Sequence, residues 1–327
     1  MILICSLARA QDPVQGIVKL FETYRIVMFG EIHECRQEYD LLRKLVNAPG
    51  FSERVNDIVV EFGNARYQDV VDRYISGENV PIEEVQGAWR DTVGSVGPAS
   101  PVYGEFYAAV RAANLKLPKE RRIRILLGDP PIDWSKVRGL EDIGYYLPFR
   151  DEFYASVVRY QVLAKGRRAL LIMGQGHFRR NGGKPGAIEN ELLTAFVKPY
   201  VITVGSNMIG GYDDLDPRFD ALETPSLIEM SGSWIGAIKG MGRNSATWDQ
   251  TADAYLYLGP WDRLTVVKNR RSDLDGTAYG NEVRRRLEIM FEKAPEFLPK
   301  SEDTDQPAFS RTSAAGPPFP VLPKPRP

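Results

Sequence analysis

The sequence predicts an α/β fold, a mainly parallel central sheet covered by helices on both faces. Six short apolar runs rich in β-branched residues recur along the chain, and amphipathic segments separate them. Runs that are apolar throughout suit strands buried on both faces, and strand–helix alternation implies βαβ units. Each run also borders a glycine or a polar residue suited to a turn or a site.

Taken in order, the chain opens with MILICSLARA. A short apolar run followed by Ala-x-Ala at Ala8 and Ala10 reads as the back end of a secretory leader, so residues 1–10 are expected to be a leader remnant and the protein exported or periplasmic, the alternative being an apolar N-terminal segment of a cytoplasmic protein. The first strand is Arg25 to Phe29 (RIVMF). A helix follows over Glu34–Asn47, with Tyr39, Leu42, Leu45 and Val46 on one side and Pro49-Gly50 ending it. Asp57 to Val60 (DIVV) is the second strand. In Ala65–Ser76 the residues Tyr67, Val70, Val71, Tyr74 and Ile75 recur at helical spacing. Glu105–Asn114 is a further helix before the third strand, Ile123 to Leu127. Asp151–Ala164 leads to the fourth strand, Ala169 to Met173, and Ala187–Val197 to the fifth, Tyr200 to Val204. Residues 205–250, rich in Gly, Asp and Ser, read as an irregular lid or binding loop. Ala254 to Leu258 is the sixth strand and Asn281–Lys293 the last helix. Residues 299–327, ending PPFPVLPKPRP, form a proline-rich tail outside the core, a segment suited to docking a partner. One domain is therefore expected over residues 11–298.

Lys plus Arg total 42 and Asp plus Glu 43 in the 327 residues, so charge gives no reason to expect nucleic acid or an anionic membrane as partner. The two cysteines, Cys5 and Cys35, are too few for a cysteine-held zinc. No segment approaches a membrane-spanning length.

The chemistry concentrates where strands end. Gly30-Glu31-Ile32-His33 follows the first strand, Glu61-Phe62-Gly63 the second, Gly128-Asp129-Pro130 the third and Gly174-Gln175-Gly176-His177 the fourth. Parallel strands open their carboxyl ends on one side, so Glu31, His33, Glu61, Asp129 and His177 should meet at one rim. These are the chain's only two histidines, in matching motifs. Imidazole exchanges protons near neutral pH and ligates metals, and carboxylates beside it orient the ring or activate water. By ligand type, His33, His177, Glu31 and Glu61 also suit a divalent Zn, Mn or Fe. Glu61 has a structural alternative as cap of the next helix, and Asp129 as a turn residue before two prolines. Arg179, after His177, suits an anionic group or a solvated loop; Asp253, before the sixth strand, is a secondary candidate with a structural alternative. Core packing is the ordinary role for Trp89, Trp134, Trp234 and Trp248.

The paired GEIH and GQGH motifs, with VVEFG between them, resemble the superfamily of erythromycin esterases, ChaN-like haem-binding lipoproteins and TIKI/TraB proteins. GEIHECRQEYDLLRKLV resembles that group's opening strand, motif and helix, and EFGNARYQDVVDRYISGE is similar to the ChaN-like second block. The likeness covers about residues 20–80 and 165–180. It implies an α/β fold with the site at the carboxyl edge. The esterase branch implies His33 as general base, Glu31 and Glu61 as its partners and His177 as a second acid/base or polarising group. The TIKI-like branch implies a metal-dependent peptidase at the same positions. The ChaN-like branch implies haem binding, with His177 as axial ligand and Tyr145, Tyr146 and the tryptophans nearby. Glu34 follows the first histidine where the esterase pattern has glycine, and Ile4 precedes Cys5 where a lipobox has a small residue. The expected function is hydrolysis of an ester or amide in a small-molecule or peptide substrate by an activated water, with haem capture as the alternative.

Overall fold

The computed structural model describes residues 10–94, 96–178, 180–204, 216–239, 246–291, 296–299, 302 and 305–307. The main sheet holds β1 (Ala10–Gln11), β2 (Ile26–Glu31), β3 (Asp57–Asn64), β4 (Arg124–Asp129), β5 (Ala169–Gly174), β6 (Tyr200–Val204), β7 (Ser226–Glu229) and β8 (Ala254–Tyr257). Their order across the sheet is β1-β7-β8-β6-β2-β5-β3-β4. From β8 through β4 every neighbouring pair is parallel; β7 runs antiparallel to β8, and β1 antiparallel to β7. The six strands expected from the sequence all form.

Strand residues alternate between two cores, as the pleat requires. Val27, Phe29, Ile58, Val60, Leu170 and Ile172 face one, under α1 (Pro13–Leu20), α2 (Arg36–Val46), α3 (Phe51–Arg54), α4 (Gln68–Ser76), α5 (Ile82–Arg90) and α6 (Pro101–Asn114). Beyond the carboxyl edge of β4, α7 (Leu140–Gly144) contributes Ile143 to a separate apolar cluster with Val93, Val96 and Trp134. Ile26, Met28, Val59, Leu126 and Leu171 face the second core, under α8 (Arg150–Val157) and α9 (Ala187–Thr194). Helix α10 (Ala278–Met290) adds Val283, Leu287 and Met290 to the Trp134 cluster.

Several local signals set the boundaries. Helix α6 starts at Pro101, earlier than its periodicity suggests, because Ser100 caps it and proline needs no helical N–H partner. The helix expected over 151–164 leaves α-geometry after Val157, passes through a π-turn at Val158–Val162 and ends at left-handed Gly166. At the outer edge, Gln68 extends its amide along β4: its Nε2 donates to Ile125 O at 2.9 Å and its Oε1 accepts from Leu127 N at 2.9 Å.

Three regions hold structure that the sequence alone does not reveal. Ala10, assigned to the leader, pairs with Ile228 in β1; residues 1–9, Cys5 included, lie outside the described residues. The 205–250 region contains a sheet strand, β7, which its Gly, Asp and Ser content conceals, and Trp248 within it packs in the second core. Residues 205–215 and 240–245 lie outside the described set. Within the proline-rich stretch, β10 (Asp305–Pro307) pairs antiparallel with β9 (Thr265–Val267), while residues 308–327 lie outside the described set. Among the described residues no helix is long and apolar enough to cross a membrane.

Candidate active site

Strands β2 and β5 are neighbours, and their register sets Glu31 against Gly174. The two histidine motifs therefore leave the sheet side by side. Glu31, buried at the end of β2, accepts from the Tyr39 hydroxyl at 2.7 Å on one oxygen and pairs with His33 Nδ1 at 3.2 Å on the other. The His33 side chain is 58% exposed, facing the cleft, and its Nε2 has no protein partner among the described residues. A Cβ on Gly174 would stand 2.8 Å from that Nε2 and 3.2 Å from a Glu61 oxygen, so only glycine allows this approach. The motif then turns through Glu34 at φ 66°, an uncommon conformation for a side-chain-bearing residue. Two contacts hold it: the Lys268 ammonium on its carboxylate, and Val267 N on its carbonyl at 3.0 Å.

Glu61, near the end of β3, accepts from Gly174 N at 2.6 Å on one oxygen. Its other oxygen meets Arg150 at 2.9 Å and His177 Nε2 at 3.2 Å. It does not cap the following turn; Asn64 does, accepting from Arg66 N at 2.9 Å. His177 Nδ1 lies 2.5 Å from Asp151, and the Tyr154 ring stands edge-on to the imidazole at 5.2 Å. Asp129 is fully buried, accepting from Arg150 Nε at 2.9 Å, from the Tyr154 hydroxyl at 3.0 Å and from Val93 N. It fixes the arginine that holds Glu61 and does not line the cleft.

Electrostatics follow from these contacts. Burial works against charge on His33, but Glu31 outweighs it and the ring is pushed up to about 10. His177 is likewise raised against its burial, to about 9, by Asp151 and Glu61. Both rings thus rest protonated at neutral pH rather than poised there, as the residue type alone suggests. Burial pushes Glu61 upward, yet the bond from His177 and the charges of His177, His33 and Arg150 hold it well below the usual carboxylate range. Burial lifts Asp129 to about 6 and Glu38, behind the motif, well above its ordinary value.

The cleft has a volume of about 470 Å³. Glu31, His33, Glu61, Arg150 and His177 form its polar wall, and Val93, Val96, Tyr103, Leu147 and Met290 face them. Of the residues singled out from sequence, the structure brings Glu31, His33, Glu61 and His177 together. Asp253 is elsewhere: it precedes β8, at the amino edge of the sheet, and binds Arg180 at 2.9 Å and Val201 N at 2.8 Å. Arg179 lies outside the described residues. Arg150, Asp151 and Tyr39 were not singled out from sequence as site residues. A detectable signal existed for two of them: a helix leading back into β5 must begin at the carboxyl rim, and residues 150 and 151 begin it.

Donor atoms of Glu31, His33 and Glu61 lie within 4.8 Å of one another, a spacing a metal ion can use, while His177 is outside this group. The bonding fits an ion less well. Both oxygens of Glu61 already accept from donors, one of them the Arg150 cation, and both oxygens of Glu31 are engaged. Haem ligation meets a similar obstacle, since both nitrogens of His177 face carboxylates. Tyr145 is exposed, and Trp89, Trp134 and Trp248 are buried in the apolar clusters.

No family model matches the chain, and no curated protein matches it. Solved structures do. A Bacillus cereus protein aligns with a TM-score of 0.51 at 9% identity, over 77% of this chain and 95% of its own. The type III effector HopBA1 aligns at 0.45 and 10% identity, over 79% of this chain and all of its own (100%). ChaN of Campylobacter jejuni, a protein described with cofacial haem, aligns at 0.38 and 13%, over 58% of this chain and 85% of its own. The likeness to the Bacillus cereus protein is one of fold: the chain shares its α/β architecture.

Proposed function

We propose that the protein hydrolyses an ester or amide through a water activated at His33, without a metal ion in the reacting step. The observation that carries this reading is the Glu31–His33 pair: a buried carboxylate, itself held by Tyr39, fixes one imidazole nitrogen and leaves the other open to the cleft. A base oriented in this way takes a proton from water as the water attacks a carbonyl carbon. Arg150 and the Gly174 amide hold Glu61 ionised beside the rings, which stabilises positive charge on them. His177 is the second acid/base group. The apolar wall opposite seats the carbon skeleton of a small molecule or a peptide side chain.

His33 must lose a proton before it can accept one while His177 keeps its own, so kcat/KM rises with pH to about 9, stays level to about 10 and falls above it. His33→Ala should lower kcat by about 10²–10⁴-fold, the usual share of general base catalysis, with cooperative unfolding retained. A variant that unfolds non-cooperatively, or one that keeps full turnover, would overturn the assignment. Elemental analysis and an absorbance spectrum of the same preparation complete the test. Stoichiometric Zn, Mn or Fe lost in His33→Ala would favour the metal-assisted route, and a Soret band on haem titration would favour haem capture.

A further inference from the structure

We propose that Asp151 is the positioning residue of a second carboxylate–imidazole pair, which makes His177 the general acid for the leaving group; this rests on the hydrolytic reading above. Asp151 stands in the first turn of α8, directly after Arg150, and its Oδ1 lies 2.5 Å from His177 Nδ1. That contact repeats what Glu31 does for His33: it fixes the proton on Nδ1 and turns Nε2 inward. In His177, Nε2 faces Glu61 Oε1 at 3.2 Å, at the cleft wall. The two pairs thus converge on one carboxylate.

They are not equivalent. His33 has its Nε2 open to the cleft, as a base needs. His177 is only 21% exposed and bonds carboxylates at both nitrogens, so its Nε2 carries a held proton, as an acid needs. Its other neighbours fit this division. Tyr154 and Arg150 of α8 flank it, Asp129 of β4 anchors that arginine, and His33 lies beyond Glu61. In the reaction, water gives one proton to His33 as its oxygen bonds to the carbonyl carbon. The scissile bond then breaks, and the leaving oxygen or nitrogen takes the Nε2 proton of His177. Solvent in the open cleft afterwards removes a proton from His33 and returns one to His177, so the cycle closes without an oxidant or reductant.

The discriminating experiment pairs an ethyl ester with a p-nitrophenyl ester of the same acid, because a good leaving group departs without a proton. On the full chain, Asp151→Asn should lower kcat for the ethyl ester by about 100-fold and leave the p-nitrophenyl ester nearly unchanged. KM should move little for either, and Asp151→Glu should restore most of the loss. With two histidines in the chain, the downfield proton spectrum is simple: the Nδ1–H resonance that disappears in His177→Ala should also be lost from its downfield position in Asp151→Asn. Equal losses on both esters, or an unmoved resonance, would overturn the proposal. A wild-type protein inert towards both esters, whose resonance still responds to Asp151→Asn, would overturn the hydrolytic reading and the acid role while leaving the pair in place.

Discussion

Glu61 accepts from a backbone amide, a guanidinium and an imidazole on only two oxygens, and its charge raises both histidines, His177 with Asp151 and His33 behind the larger effect of Glu31. The consequence for stability has a definite sign. His33 is raised from an ordinary 6.5 to about 10, so its contribution is complete below pH 6.5 and is lost as pH rises through about 10. His177, raised to about 9, acts in the same direction. Glu61 is depressed, so its contribution is present above 4.5 and lost as pH falls through its lower folded value. Denaturant titrations should show stability declining from pH 6.5 to 10, and His33→Ala should flatten that decline; an unchanged slope in the variant would contradict the pairing with Glu31. At this scale the two histidines and the two strand-end glutamates were legible, because residue type and strand position both mark them. Asp151, with Arg150 just before it, was read only as the start of a helix: an acid in the first turn is an ordinary helix-end charge, and the signal in their place at the carboxyl rim went unused.

At the level of elements, the site depends on the β2–β5 register and on the bareness of Gly174. Gly174→Ala would push a methyl group against the His33 ring and towards Glu61. Overpacking of this kind costs about 1–3 kcal/mol, and the ring has to move to accommodate it. We expect Gly174→Ala to lose most of the turnover while melting only modestly earlier, measured by ester hydrolysis and by thermal unfolding; full activity would show that His33 need not lie against β5. The strands were legible because those buried on both faces are apolar throughout, β2 and β5 above all. Helix α5 was passed over, and β7 was hidden within a stretch rich in turn residues. Its four residues, Ser-Leu-Ile-Glu, form a strand through pairing with β8 rather than through pattern.

For the whole molecule, the sheet brings residues distant in sequence to one rim, and the Trp134 cluster with α7 and α10 stands beyond that rim. Fold class and the gathering of the two histidine motifs at one polar cleft followed from strand–helix alternation; the wall opposite the histidines did not, because Val93, Val96, Leu147 and Met290 come from segments with no shared motif. The Gln68 amide along the last strand has a wider consequence. A parallel sheet that stops at β4 leaves its outermost backbone groups free to recruit any extended peptide, another copy of the chain included. Gln68 supplies a donor and an acceptor at Ile125 and Leu127, so one side chain stands in for the strand that never comes. Gln68→Ala should leave the polar cleft intact yet make the light-scattering mass grow with concentration more steeply than that of wild type, and a mass unchanged from wild type would show that this border is guarded by something else.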